Sequence, residues 1–167
     1  TDITIYLSDF GKYKSTVQTY KIFEADESRI GYVCYLEYGE KNDIAKVLCY
    51  FYENNITDLI LDLRYNPGGY VSTCKYLCNC IIPETGYNKV FQRCSYNEIL
   101  ASENILATGS PYTFDLYESP QNSTSQLLGH GLYPLKLNRL FVITSKNTAS
   151  ASEATIICLR PFIEVVI

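Results

Sequence analysis

The sequence predicts an α/β fold with at least part of its sheet parallel, and three observations carry that prediction. First, Thr57 to Leu63 is an apolar run of strand length, followed by Asn66-Pro67-Gly68-Gly69 and then by apolar positions at helical spacing. Second, Leu137 to Thr144 repeats the arrangement, with a polar turn and another helical stretch behind it. Third, near-continuous apolar strands alternating with helices are the pattern of buried strands joined by crossovers, which favours parallel pairing.

The elements follow in order. Ile3 to Leu7 and Tyr20 to Ala25 alternate weakly, and Arg29 to Tyr38 carries Ile30, Tyr32, Val33, Tyr35 and Leu36, so three strands are expected. From Asn42 the period changes, with Ile44, Val47, Leu48 and Phe51 at i, i+3, i+4 and i+7. That is an amphipathic helix, with Asn42 or Asp43 as its expected cap and its end near Asn54-Asn55. After the glycine pair, Val71, Cys74, Cys78 and Ile81 share a helical face that ends before Pro83. Residues 83–134 are less regular and read as a surface excursion with a few strands and a long loop. Beyond the strand at Leu140 to Ile143, Ser145 to Ala149 is a turn, and Ser150 to Leu159 a short helix with Ala151, Ala154 and Cys158 inward.

Bulk composition excludes several functions. The 167 residues are 47% hydrophobic and 19% charged, enough for one globular domain with a sizeable core. Net charge is -4 and the 14 Lys and Arg are scattered, so no basic stripe suits a nucleic acid. No apolar run approaches the roughly 18 residues of a membrane span. The seven cysteines follow neither a disulfide-scaffold nor a zinc spacing. Cys74, Cys78 and Cys80 form the one cluster and are expected to be buried thiols, with no metal or cofactor. Both ends read as cuts within strand-like segments.

Two segments hold candidate chemistry. In Asp62-Leu63-Arg64-Tyr65-Asn66-Pro67-Gly68-Gly69, a glycine pair between a strand end and a helix start leaves backbone N–H groups open to an anion or a developing oxyanion. The plain alternative is an Asn-Pro-Gly turn. In Thr148-Ala149-Ser150-Ala151-Ser152-Glu153, a serine at a helix entrance has its Oγ beside the positive end of the helix dipole. The plain alternative is a capping box, since Ser150-x-x-Glu153 matches one.

Together, Asp-Leu-Arg-x-Asn-x-Gly-Gly and Thr-Ala-Ser-Ala-Ser-Glu resemble the C-terminal processing (tail-specific) serine peptidases, whose core is similar to the tricorn core and to the Clp protease and crotonase folds. The resemblance runs over residues 20–167, weakest across 83–134, and includes Gly31-Tyr32 and Leu159-Arg160-Pro161. It implies a β-α spiral core, here truncated at its C-terminal side, with residues 1–19 a remnant of a preceding PDZ-like domain or a linker. It makes Ser150 the nucleophile rather than Ser152, the amide of Ala151 one oxyanion donor, and Gly68 or Gly69 the other. It implies a lysine base in a Gly-Lys element beyond Ile167, protein or peptide substrates, no cofactor, and, as in many bacterial members, export to the cell envelope or periplasm. Lys146 and the sole histidine, His130, read as solvated loop residues, and Asp62 and Arg64 as structural. The rival reading is a non-catalytic binding protein on the same scaffold, as the retinoid carriers of the photoreceptor matrix resemble this core. No Gly-x-Ser-x-Gly elbow supports an α/β hydrolase.

Overall fold

The computed structural model describes residues 15–95, 112–122 and 131–167. Its central sheet has the strand order β1-β2-β3-β6-β7, and β4 and β5 make a separate two-stranded sheet. The strands are β1 (Val17–Ala25), β2 (Ser28–Tyr35), β3 (Asp58–Asp62), β4 (Val90–Ser95), β5 (Tyr112–Leu116), β6 (Arg139–Ile143) and β7 (Glu164–Val166). The helices are α1 (Lys41–Glu53), α2 (Val71–Ile81) and α3 (Ala151–Leu159). β1 and β2 form an antiparallel hairpin, while β2, β3, β6 and β7 run parallel. The expected α/β class with a largely parallel sheet is therefore observed. The expected strand at Ile3 to Leu7 lies outside the described residues.

The four parallel strands are laid down in one direction, each joined to the next through a helix. Crossovers of one hand that all step the same way across a sheet put their helices on one face, and α2 packs against both α1 and α3. The core lies between: Val33, Tyr35, Leu59, Leu61, Leu140 and Val142 from the sheet meet Ile44, Leu48, Phe51, Cys74, Leu77 and Leu159 from the helices, all buried. Among the described residues the opposite face is half-covered. Tyr32, Ile60 and Phe141 stand in register across it and remain partly exposed, so β3 is buried more fully on one face than on the other.

Several boundaries shift by physical causes. β2 ends at Tyr35, and the main chain of Tyr38 pairs outside the strand, in an isolated parallel bridge to Gly69. α1 starts after Glu40 rather than at an Asn42 or Asp43 cap. The Asp43 carboxylate instead accepts the Thr16 N–H at 3.0 Å, tying the start of β1 to the helix. The excursion after Pro83 is partly regular, since β4 and β5 pair as a hairpin and Tyr117 N–H reaches back to Lys89 O. No described helix is long and apolar enough to cross a membrane.

Candidate active site

β3 and β6 are adjacent and parallel, with Asp62 opposite Ile143. The segments that follow these two residues therefore leave the sheet at one edge, in the crevice outside the carboxyl ends of the strands where open α/β sheets place ligands. Hydrogen bonds lace the two segments together. Leu63 N–H donates to Ile143 O at 2.9 Å, and Thr148 Oγ1 donates to Leu63 O at 2.8 Å. Ser145 Oγ donates to Arg64 O.

Asn66 is the junction of that lacing and is fully buried. Its Nδ2 donates to Tyr35 O at 3.0 Å and its Oδ1 accepts the Gly68 N–H at 2.9 Å. Its own carbonyl accepts Ser152 Oγ at 3.1 Å and, more weakly, Ala149 N–H at 3.4 Å. The side chain thus shapes the glycine turn, and the main-chain carbonyl of the same residue fixes its distance from the turn before α3.

The glycines are required by contact. A Cβ on Gly68, at φ 108°, would lie 2.6 Å from Ser150 Cβ and 3.0 Å from Ala151 N. A Cβ on Gly69, at φ 136°, would lie 2.4 Å from Tyr38 O. Around Gly69, Tyr38 N–H donates to Gly68 O at 2.9 Å and Tyr70 N–H to Tyr38 O at 2.6 Å. In such a parallel bridge the bonds use the groups flanking Gly69, so its own N–H is turned to the other side. Gly68 is buried with its N–H taken by Asn66, whereas Gly69 is exposed. Of the pair, Gly69 is the one with an N–H to offer.

Ser150 is exposed and enters α3 at φ 56°, ψ -117°. The capping box read from the sequence exists: Glu153 Oε2 accepts the Ser150 N–H at 2.8 Å. The reciprocal half is weaker, as the Ser150 side chain faces the Glu153 N–H without a full cap hydrogen bond. An ordinary N-cap residue has extended dihedrals. A positive φ on a serine costs about 1–3 kcal/mol and persists only where the surroundings impose it. Capping does not require that strain. Ala151, the first residue of the helix, carries one of the N–H groups that no helical carbonyl satisfies, at the positive end of the dipole.

The neighbouring residues divide clearly. Ser152 is buried and its hydroxyl is committed to Asn66 O, leaving Ser150 as the exposed serine of the motif. Asp62 and Arg64 pair across the start of the turn at 2.7 Å, and Tyr32 Oη donates to the same carboxylate at 2.9 Å. Burial alone would raise the Asp62 pKa, but the Arg64 and Tyr32 hydrogen bonds and the Arg64 charge outweigh it and hold the carboxyl below its usual range. Lys146 is exposed on its turn, and His130 lies outside the described residues. Cys74, Cys78 and Cys80 are buried free thiols, as expected. Cys74 Sγ lies 3.3 Å from Ala151 O beneath the entrance of α3.

Two residues of this neighbourhood escape sequence reasoning. Asn66 reads there as turn chemistry, and its place two residues before Gly68 was the available signal, since an Asn side chain often accepts the N–H two residues on. Tyr38 carries no signal at all, because its contacts with Gly69 and with α3 depend on the closed fold.

A family model described as Peptidase family S41 matches residues 29–161. Among solved structures, a Bacteroides fragilis protein assigned to the S41 proteases superposes with a TM-score of 0.75 at 22% identity, covering 93% of this chain and 38% of its own. A photosystem II D1 C-terminal processing protease gives a TM-score of 0.56 at 16% identity, over 87% of this chain and 34% of its own. A Parabacteroides merdae protein assigned as a peptidase gives 0.54 at 22% identity, over 96% and 44%. The chain thus spans less than half the length of each of these structures, and at such identities the likeness establishes the fold. No curated protein sequence matches the chain.

Proposed function

The chain belongs to peptidase family S41, and on that premise we propose that it carries the nucleophile and oxyanion hole of a serine endopeptidase of the C-terminal processing type, acting on protein or peptide substrates. The observation that carries this reading is the strained, exposed Ser150 packed against the Gly68-Gly69 turn. Ser150 Oγ attacks the scissile carbonyl carbon, and the carbonyl oxygen takes up negative charge facing the N–H groups of Ala151 and Gly69. The C–N bond then breaks to give an acyl-enzyme, which water hydrolyses. The hydroxyl proton passes to a lysine amine, kept neutral by burial, and on to the leaving amine. That lysine is assigned to a Gly-Lys element beyond Ile167, which leaves the 167-residue chain alone without activity. No cofactor enters these steps, and an exported location remains part of the proposal.

The test uses full-length protein. Wild type should cleave casein and react with a serine-directed fluorophosphonate at Ser150, and Ser150→Ala should do neither. Equal cleavage by both would overturn the assignment. Fluorophosphonate labelling of the 167-residue chain itself would show that a base is already present and remove the external lysine from the mechanism. The capping box at Ser150 and Glu153 favours one rival, a peptide-binding homologue that merely keeps the serine as a cap. In that case Ser150→Ala would bind peptide as wild type does, and neither would cleave it.

A further inference from the structure

Tyr38 joins the two halves of the proposed oxyanion hole. Its main chain pairs with the residues on both sides of Gly69, accepting Tyr70 N–H at 2.6 Å and donating to Gly68 O at 2.9 Å. Its phenol, fully buried, lies 2.7 Å from Thr155 Oγ1 on α3. Thr155 Oγ1 donates to Ala151 O at 3.0 Å, one turn back along the helix. A threonine hydroxyl has a single proton, so with that proton on Ala151 O the Tyr38 hydroxyl must be the donor to Thr155.

We propose that Tyr38 is a positioning residue that sets the separation of the Gly69 and Ala151 N–H groups. This inference rests on the protease reading above. The path from Gly69 to Ala151 through Tyr38 and Thr155 is separate from the one through Asn66, which engages Gly68, Ala149 and Ser152. Two braces on different atoms fix two peptide groups relative to one another far better than one. Burial above all pushes the Tyr38 phenol well above its ordinary pKa and keeps it a donor.

Displacing a reacting group by about 1 Å can cost about 100-fold, so Tyr38→Phe in the full-length protein should lower kcat about 10- to 100-fold with KM within about twofold. Thr155→Val should do the same from the other end. The double variant should be no worse than the poorer single, since both remove one path. Tyr117→Phe is the comparison: it also removes a buried phenol bonded to α3, at Cys158 O and 2.6 Å, but far along the helix from Ser150. Its kcat should stay within about twofold of wild type. Unchanged kcat in folded Tyr38→Phe, or equal losses in Tyr38→Phe and Tyr117→Phe, would overturn the positioning role. If Tyr38→Phe does not fold, Thr155→Val alone decides by the same split of kcat from KM. Wild type no more active than Ser150→Ala would instead sink the protease reading, and this inference with it.

Discussion

Gly68 lies against Ser150 with room for a hydrogen and no more, since a Cβ there would come 2.6 Å from Ser150 Cβ, 2.9 Å from Ala149 O and 3.0 Å from Ala151 N. The atoms it would strike are backbone or the first side-chain carbon, none of which can rotate away. The conformation at φ 108° also penalises any side chain.

Gly68→Ala should therefore fail twice over. Strain at a glycine-only conformation costs about 1–3 kcal/mol, and the clash must push the Ser150 turn outward. The proposed cleavage activity of the full-length protein should fall at least about 100-fold, and the melting temperature should drop. Wild-type activity in this variant would mean that the two turns are not held at the observed distance.

The strain at Ser150 makes an opposite prediction for stability. Ser150→Ala keeps the Cβ at φ 56° and loses the hydroxyl, whereas Ser150→Gly relieves the conformation and caps a helix nearly as well as serine. Both should be inactive, yet Ser150→Gly should be the more stable of the two by about 1–2 kcal/mol. Denaturant unfolding of the pair measures this. A less stable Ser150→Gly would show that the positive φ stores no strain.

Ser152→Ala separates the two serines of the motif. It leaves Asn66 O without its best donor in a buried site, which should cost about 1–3 kcal/mol. Much of the proteolysis should survive at temperatures where the protein remains folded. Complete loss of activity in a stably folded Ser152→Ala would move the nucleophile assignment away from Ser150.

Asn66→Ala removes the acceptor for Gly68 N–H and the donor to Tyr35 O at one stroke. With both partners buried, a loss of more than about 2 kcal/mol is expected. Hydrogen exchange at Gly68 should speed up at the same time. A variant with unchanged stability and exchange would show that the Asn66 side chain does not hold the glycine turn.

The Asp62 carboxyl, held below its usual range chiefly by Arg64 once the cost of burial is overcome, gives stability a pH dependence. A depressed folded pKa means that this contribution is complete above the unfolded value of about 3.9 and is lost as pH falls through the lower folded value. Melting temperature should therefore decline on acidification below about pH 4, and the decline should be shallower in Arg64→Gln. Identical acid profiles for the two proteins would show that Arg64 does not hold the carboxylate.

Local patterns in the chain specify most of the elements and the candidate letters. The positions Ile44, Val47, Leu48 and Phe51 specify α1 because a period of 3.6 is local, and all four are buried. The runs at Thr57 to Leu63 and Leu137 to Thr144 specify β3 and β6 because strand-length apolar stretches between turns are local as well. The paired motifs also singled out Ser150, Ala151 and the two glycines. What those letters do to one another depends on the closed fold. That β3 and β6 are neighbours, and so bring Gly68 onto Ser150, follows from strand order, which no local pattern encodes. Which glycine keeps a free N–H follows from Asn66 turning back on Gly68 and from Tyr38 bridging Gly69. The positive φ of Ser150 was equally hidden, because its letters fit an ordinary capping box and only packing against the glycine turn imposes the strained conformation.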